Sequence, residues 1–118
     1  MTPLSRLDLA ALCALPLLLA GPVQASNAIN VHVNNVAPDK DGKVVVILDT
    51  ARTGQPACAL SNLTYSINVT TAGGQAMLSA IYTAIAADLA VDLVGANTCT
   101  EYGNTESIGY VSLRRRGT

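Results

Sequence analysis

Residues 63–89, LTYSINVTTAGGQAMLSAIYTAIAADL, change period halfway along. Up to Thr70 the apolar Leu63, Tyr65, Ile67 and Val69 alternate with Thr64, Ser66, Asn68 and Thr70, a period of two that sends one strand face to the core and the other to water. From Gln75 the apolar Met77, Leu78, Ile81, Ile85 and Leu89 recur every three or four residues with Ala filling most of the rest, which predicts an amphipathic helix over 75–88. Thr71, just before Gly73-Gly74, is placed to cap it.

This strand-to-helix switch divides the chain. On its N-terminal side, Ile29, Val31 and Val33 alternate with Asn30, His32 and Asn34 as a half-buried first strand. Pro38-Asp39-Lys40-Asp41-Gly42 then supplies turn chemistry, and 43–49, through Val44-Val45-Val46-Ile47-Leu48, reads as a second strand closing a hairpin. On the C-terminal side Val91, Leu93 and Val94, closed by Gly95, form a short fourth strand, and 108–113 a fifth after the polar loop 100–107. The chain is thus mainly β with one helix, in the order β-β-β-α-β-β. An antiparallel meander followed by a helix long enough to cross between sheet edges predicts a five-stranded, partly open barrel of OB type, with an open sheet and one packed helix as the alternative.

The first 25 residues stand apart. Arg6 precedes an apolar stretch over 9–20, Gly21-Pro22 breaks it, and Val23-Gln24-Ala25 puts small residues at −3 and −1 of a cut before Ser26, the pattern of a secretory signal peptide over 1–25. About twelve continuous apolar residues fall short of the roughly 20 that cross a bilayer, so no membrane span is expected. A single domain over 26–118 remains, secreted or periplasmic, with roughly 46% apolar residues, ordinary for a small globular unit. Of three cysteines, Cys13 leaves with the leader and Cys58 and Cys99 remain in an oxidising compartment, where the one available pairing predicts a disulfide. Closing a loop of about 42 residues corresponds to about 4 kcal/mol in the chain-entropy account. Two thiols and the lone His32 are too few ligands for a metal, and no cofactor motif is present.

The formal charge of −1 conceals polarity. Arg114-Arg115-Arg116 puts +3 in a tail over 114–118, read as solubilising, and leaves the 26–113 body at −4, which opposes nucleic-acid binding. His32 has no nucleophile partner, and no acid/base pair is visible, so the chain is not read as an enzyme. There are four Tyr and no Phe or Trp. Tyr65 shares a face with Leu63 and Ile67 and is assigned to the core, Tyr82 flanks the helix stripe, and Tyr102, in Glu101-Tyr102-Gly103-Asn104, is the best exposed candidate for a ligand.

The run from Ile29 to Cys99 resembles the B subunits of the subtilase cytotoxin family, within the AB5 toxin class. The likeness lies in the first strand Ile29-Asn30-Val31-His32-Val33, a second strand after a polar turn, a Gly-and-Pro loop entering Ala57-Cys58-Ala59, a helix, a short strand and a second cysteine at Cys99. The resemblance implies an exported OB domain that assembles as a ring-shaped homopentamer, binds host glycans, often sialylated, and accompanies an enzymatic A subunit. The family's sugar loop carries Ser with aromatic and acidic residues nearby; here the corresponding Ala37-Pro38-Asp39-Lys40-Asp41-Gly42 has neither Ser nor aromatic. Asp39, Lys40, Asp41 and Tyr102 are the candidate ligand-binding residues. The other reading of the same scaffold is a periplasmic structural or interaction protein without a sugar site.

Overall fold

The computed structural model describes residues 26–115; the leader read over 1–25 and the tail beyond Arg115 lie outside them. Six strands and one helix follow in the order β1 (Asn27–Val31), β2 (Val33–Pro38), β3 (Lys43–Leu48), β4 (Thr64–Asn68), α1 (Ala72–Ala87), β5 (Val91–Gly95) and β6 (Ile108–Leu113). They form two antiparallel three-stranded sheets, β2-β3-β4 and β1-β5-β6. The fold is mainly β with one helix.

The expected first strand is two strands, so six replace five. Asn30 adopts φ 57, a left-handed conformation that its short polar side chain tolerates, and the register shifts across it, against β5 between Ala28 and Val31, and again just after it, against β3 between Val33 and Asn35. The chain bends there and passes from one sheet to the other. The bend also resets the inward face: Ala28 and Val31 are buried while Ile29, expected inside, is 51% exposed. Carboxylates accept the N–H groups that leave the ladder, Asn30 donating to Asp92 Oδ1 at 2.7 Å and His32 to Asp49 Oδ1 at 3.0 Å.

The hairpin between β2 and β3 follows the expected turn chemistry. Asp39 Oδ1 accepts from the N–H groups of Asp41 at 2.8 Å and Lys43 at 3.0 Å, and Gly42 supplies the positive φ of 79 that the reversal requires. Along β3, Val44, Val46 and Leu48 point into the core, opposite Ile67 and Tyr65 of β4. The other face of β4 does not simply meet water, as its alternation predicts. Ser66 is fully buried because the residues leading into β6 lie over it, with a parallel bridge from Ser66 to Ser107 and a Ser66 N–H to Glu106 carbonyl bond of 2.8 Å. Leu63 falls outside the strand and is 37% exposed.

The helix begins earlier than its apolar periodicity indicates. Thr71 Oγ1 accepts from the Gly74 N–H at 3.0 Å, a cap that brings Ala72, Gly73 and Gly74 into the first turn. Asp88 closes the other end at φ 54, donating its N–H to the carbonyls of Ala84 and Ile85. Ile81 and Ala84 are buried, whereas Tyr82 and Ile85 are 47% and 45% exposed. No described helix is long and apolar enough to cross a membrane.

The paired glycines of α1 give a matched test. A Cβ on Gly74 would run into the Asn68 carbonyl, with the carbonyl carbon only 2.7 Å away, but one on Gly73 would meet nothing within 4 Å. Gly74→Ala should cost about 1–3 kcal/mol through backbone displacement, and Gly73→Ala should add about 0.5–1 kcal/mol by restricting the unfolded chain. Urea midpoints moving in opposite directions at unchanged m-value would show it.

Candidate functional site

Two loops, 49–63 and 96–107, meet at one end of the domain and are tied by a disulfide between Cys58 and Cys99, whose Cα atoms lie 6.2 Å apart. Each loop carries one charged residue with a fully buried side chain. Arg52 and Glu106 are buried, with Arg52 Nε 3.3 Å from Glu106 Oε1 and both side chains inaccessible to solvent. The guanidinium stacks on Tyr65, 4.4 Å from the ring centroid, and Arg52 Nη1 donates to the Thr64 carbonyl. Ser26 Oγ donates to Glu106 Oε1 and is also 2.8 Å from the Tyr65 hydroxyl, while Glu106 Oε2 accepts the Asn97 N–H at 2.9 Å. A Cβ on Gly95 would overlap the Glu106 carboxylate, so β5 passes close enough only as glycine. Burial lowers the pKa of Arg52 and raises that of Tyr65. Neither Arg52 Nε, which meets Glu106 as an ion pair, nor Nη2 has a hydrogen-bond acceptor, so the cluster is less than fully satisfied.

A second network lies beside it. Glu101 Oε2 accepts from Ser66 Oγ at 3.0 Å and from Ser107 Oγ, binding the loop onto β4. In both networks serine hydroxyls donate to glutamates that face inward, and Ser26 and Ser66 are fully buried.

On the surface at the β2–β3 turn, the structure brings together two candidate residues 63 apart in sequence. The Tyr102 hydroxyl donates to Asp39 Oδ2 at 2.8 Å, and Lys43 Nζ lies 5.7 Å from the Tyr102 ring centroid. Lys40 and Asp41 are exposed next to them and pair with each other, Nζ to Oδ1 at 3.1 Å. Tyr102 is thereby half-buried against the turn, and Tyr110, at 57% exposure, is the most open tyrosine, contrary to the ranking expected from the loop sequence. Partial burial and the bond to Asp39 push the Tyr102 phenol up to about 12, and the same hydrogen bond is the main cause holding the Asp39 carboxyl below its ordinary 3.8.

Two other sequence readings change. His32 is not an ordinary strand residue: it sits at the bend, its ring nitrogens 3.8 Å from Asp49 Oδ2 and 3.9 Å from Asp88 Oδ1, between the end of β3 and the helix C-cap. Arg114, read as the start of a solubilising tail, is docked, with Nε 2.7 Å from Asp92 Oδ1 and its N–H on the Ala90 carbonyl at 2.9 Å. No three His, Cys, Asp or Glu among the described residues converge as metal ligands. Comparison with protein-family models, curated proteins and solved structures finds no match.

Sequence reasoning missed Ser26, Arg52 and Glu106. Each lies outside the alternating stretches, but one signal was available: Arg52, six residues before Cys58, and Glu106, seven after Cys99, are opposite charges in the two loops that the disulfide joins.

Two measurements follow from this geometry. Arg52→Met should cost about 3–5 kcal/mol because it strands a buried carboxylate, and adding Glu106→Gln should restore about 1–3 kcal/mol by neutralising that group while leaving Asn97 an acceptor. Denaturant unfolding of both single variants and the double variant reads this coupling. At the surface, Tyr102→Phe should let the Asp39 carboxyl titrate closer to 3.8 in a side-chain NMR experiment. Since the folded value is depressed, the contribution of the Tyr102 contact to stability is present above about pH 3.8 and is lost as pH falls through the folded value.

Proposed function

We propose that this chain is an exported, non-catalytic binding domain of AB5 B-subunit type, built as a five-stranded OB-like barrel and recognising an extracellular glycan as a homo-oligomer, a homopentamer by its resemblance. The barrel reading takes β1 and β2 as one bent strand shared by both sheets. It is supported by the parallel Ser66 to Ser107 bridge, which links β4 to the residues entering β6, and by the position of α1 between β4 and β5.

The observation that carries the binding reading is the Tyr102 ring fixed over the β2–β3 turn by Asp39, with Lys43 beside it and Lys40 and Asp41 exposed alongside. An immobilised aromatic surface with polar groups at its rim is how protein surfaces hold sugar rings. Assembly is supported by Ile29 and Tyr110, 51% and 57% exposed on the outer side of the β1-β5-β6 sheet. One observation favours the second reading, a structural or interaction protein without a sugar site: both Asp39 oxygens and the Tyr102 hydroxyl are already engaged with each other or with the backbone. In either reading the protein has no catalytic role, needs no cofactor and does not bind nucleic acid; an enzymatic A subunit belongs to the first reading alone.

Glycan-array binding of the oxidised protein discriminates between them. Binding that falls about fivefold or more in Tyr102→Ala, with the variant still cooperatively folded at the assay temperature, supports the sugar site, since one lost stacking contact is worth about 1 kcal/mol or more. Absence of binding to every glycan, together with a monomer in light scattering, supports the structural role.

A further inference from the structure

We infer that the Tyr102 surface takes a sugar bearing a protonated amine, and that the Lys43 ammonium occupies the ligand's position on the ring until the sugar displaces it. The inference rests on the glycan reading proposed above and narrows it to cationic amino sugars. It departs from the sialylated ligands that the resemblance implies.

The surface already holds an ammonium. Lys43 Nζ lies 5.7 Å from the Tyr102 ring centroid, inside the range of about 6 Å over which the electron-rich face of an aromatic ring attracts a cation. The lysine is anchored at its backbone, since it opens β3 and its N–H donates to Asp39 Oδ1 at 3.0 Å. Only the side chain needs to move.

Carboxylates surround the ring. Asp39 Oδ2 accepts the Tyr102 hydroxyl at 2.8 Å, Asp41 is exposed in the same turn, and Glu101 precedes Tyr102 in the chain. After burial and the hydrogen bond to Asp39, the charges of Asp39, Asp41 and Glu101 push the phenol up to about 12, so their field reaches the ring. Lys40 and Lys43 oppose them, and Lys40 is already paired with Asp41 at 3.1 Å.

Charge balance decides what can replace Lys43. A ligand that lies on the same ring face must displace it, and the flexible four-carbon stem lets the ammonium swing out into water. A neutral sugar would leave the three carboxylates opposed at close range by Lys40 alone, and a carboxylated sugar would add a further negative charge. An amino sugar exchanges one ammonium for another. It leaves the balance unchanged and adds what Lys43 lacks, the apolar C–H face of a pyranose ring stacked on the tyrosine.

Calorimetric titration of the oxidised protein provides the test, with a linear trimer of glucosamine, the same trimer N-acetylated, and a sialylated trisaccharide as probes. At about pH 6, where the amine is protonated, the glucosamine trimer should bind about fivefold or more tighter than the acetylated one, the scale of one cation–π contact, and the sialylated probe should bind weakest. Lys43→Met keeps the stem and removes the competing ammonium, so it should tighten amine binding about threefold or more, whereas Tyr102→Ala, still cooperatively folded, should lose it. Acetylated or sialylated probe bound as tightly as the amine overturns the inference and leaves the glycan reading standing, as does array binding of other glycans without any of the amine. Amine binding that survives Tyr102→Ala is general attraction to an acidic body and overturns the assignment to this ring. Unchanged or weaker binding in Lys43→Met overturns the displacement. No binding by any probe or by any glycan on the array overturns the glycan reading and this inference with it.

Discussion

A guanidinium and a carboxylate buried where two loops meet impose the strictest condition on this domain. Removing either charge from water costs several kcal/mol, and the attraction between Arg52 and Glu106 offsets that only where the remaining polar atoms also find partners. The surroundings meet most of that condition, leaving only guanidinium nitrogens of Arg52 without acceptors: Tyr65 stacks on the guanidinium, Thr64 and Asn97 contribute backbone groups, and Ser26 completes the carboxylate. These partners come from the first described residue, from β4 and from the loop after β5, so the pair forms only when distant parts of the chain are already in register. Gly95 belongs to the same condition, because any larger residue would occupy the space of the Glu106 carboxylate. The disulfide between Cys58 and Cys99 holds both loops within reach of one another even when the chain is unfolded, which limits the entropy lost in bringing the charges together.

The bend between β1 and β2 distributes that condition over the whole molecule. With Asn30 in the left-handed region, one continuous segment pairs with β5 on one side and β3 on the other, and both sheets inherit their relative placement from it. Asp49 and Asp92 take the N–H groups that the bend removes from the ladder, and Asp92 simultaneously holds Arg114 at the end of β6. The β2–β3 turn and the 96–107 loop are therefore brought to a common surface, where the Tyr102 hydroxyl reaches Asp39. The candidate binding surface is a consequence of how the core closes.

Much of this was legible in sequence. The change of period at Thr71 located both β4 and α1, the turn residues 38–42 located the hairpin, and reading residues 1–25 as a leader reduced the cysteine problem to one pair. Strict alternation misled at two places, for one reason: it assumes that a strand keeps its face. Asn30 breaks the face of the first strand and turns Ile29 outward, and the residues entering β6 cover Ser66 on the side of β4 that alternation assigns to water. Asp39 and Tyr102 were each identifiable as polar or aromatic residues in loops, but their mutual bond depends on a closure that no local pattern encodes.

What the sequence determined by itself was the set of elements, the helix cap, the hairpin turn and the cysteine pair, because these depend on neighbours a few residues away or on a count that leaves one choice. What only the tertiary structure decided was the bend at Asn30, the burial of Arg52 against Glu106, the place of Ser26 between Tyr65 and Glu106, and the meeting of Tyr102 with Asp39. These contacts join residues from 39 to 80 positions apart wherever they involve Ser26 or Tyr102, and their free energies arise from desolvation and geometry. Both are properties of the closed fold, and neither leaves a periodic trace along the chain.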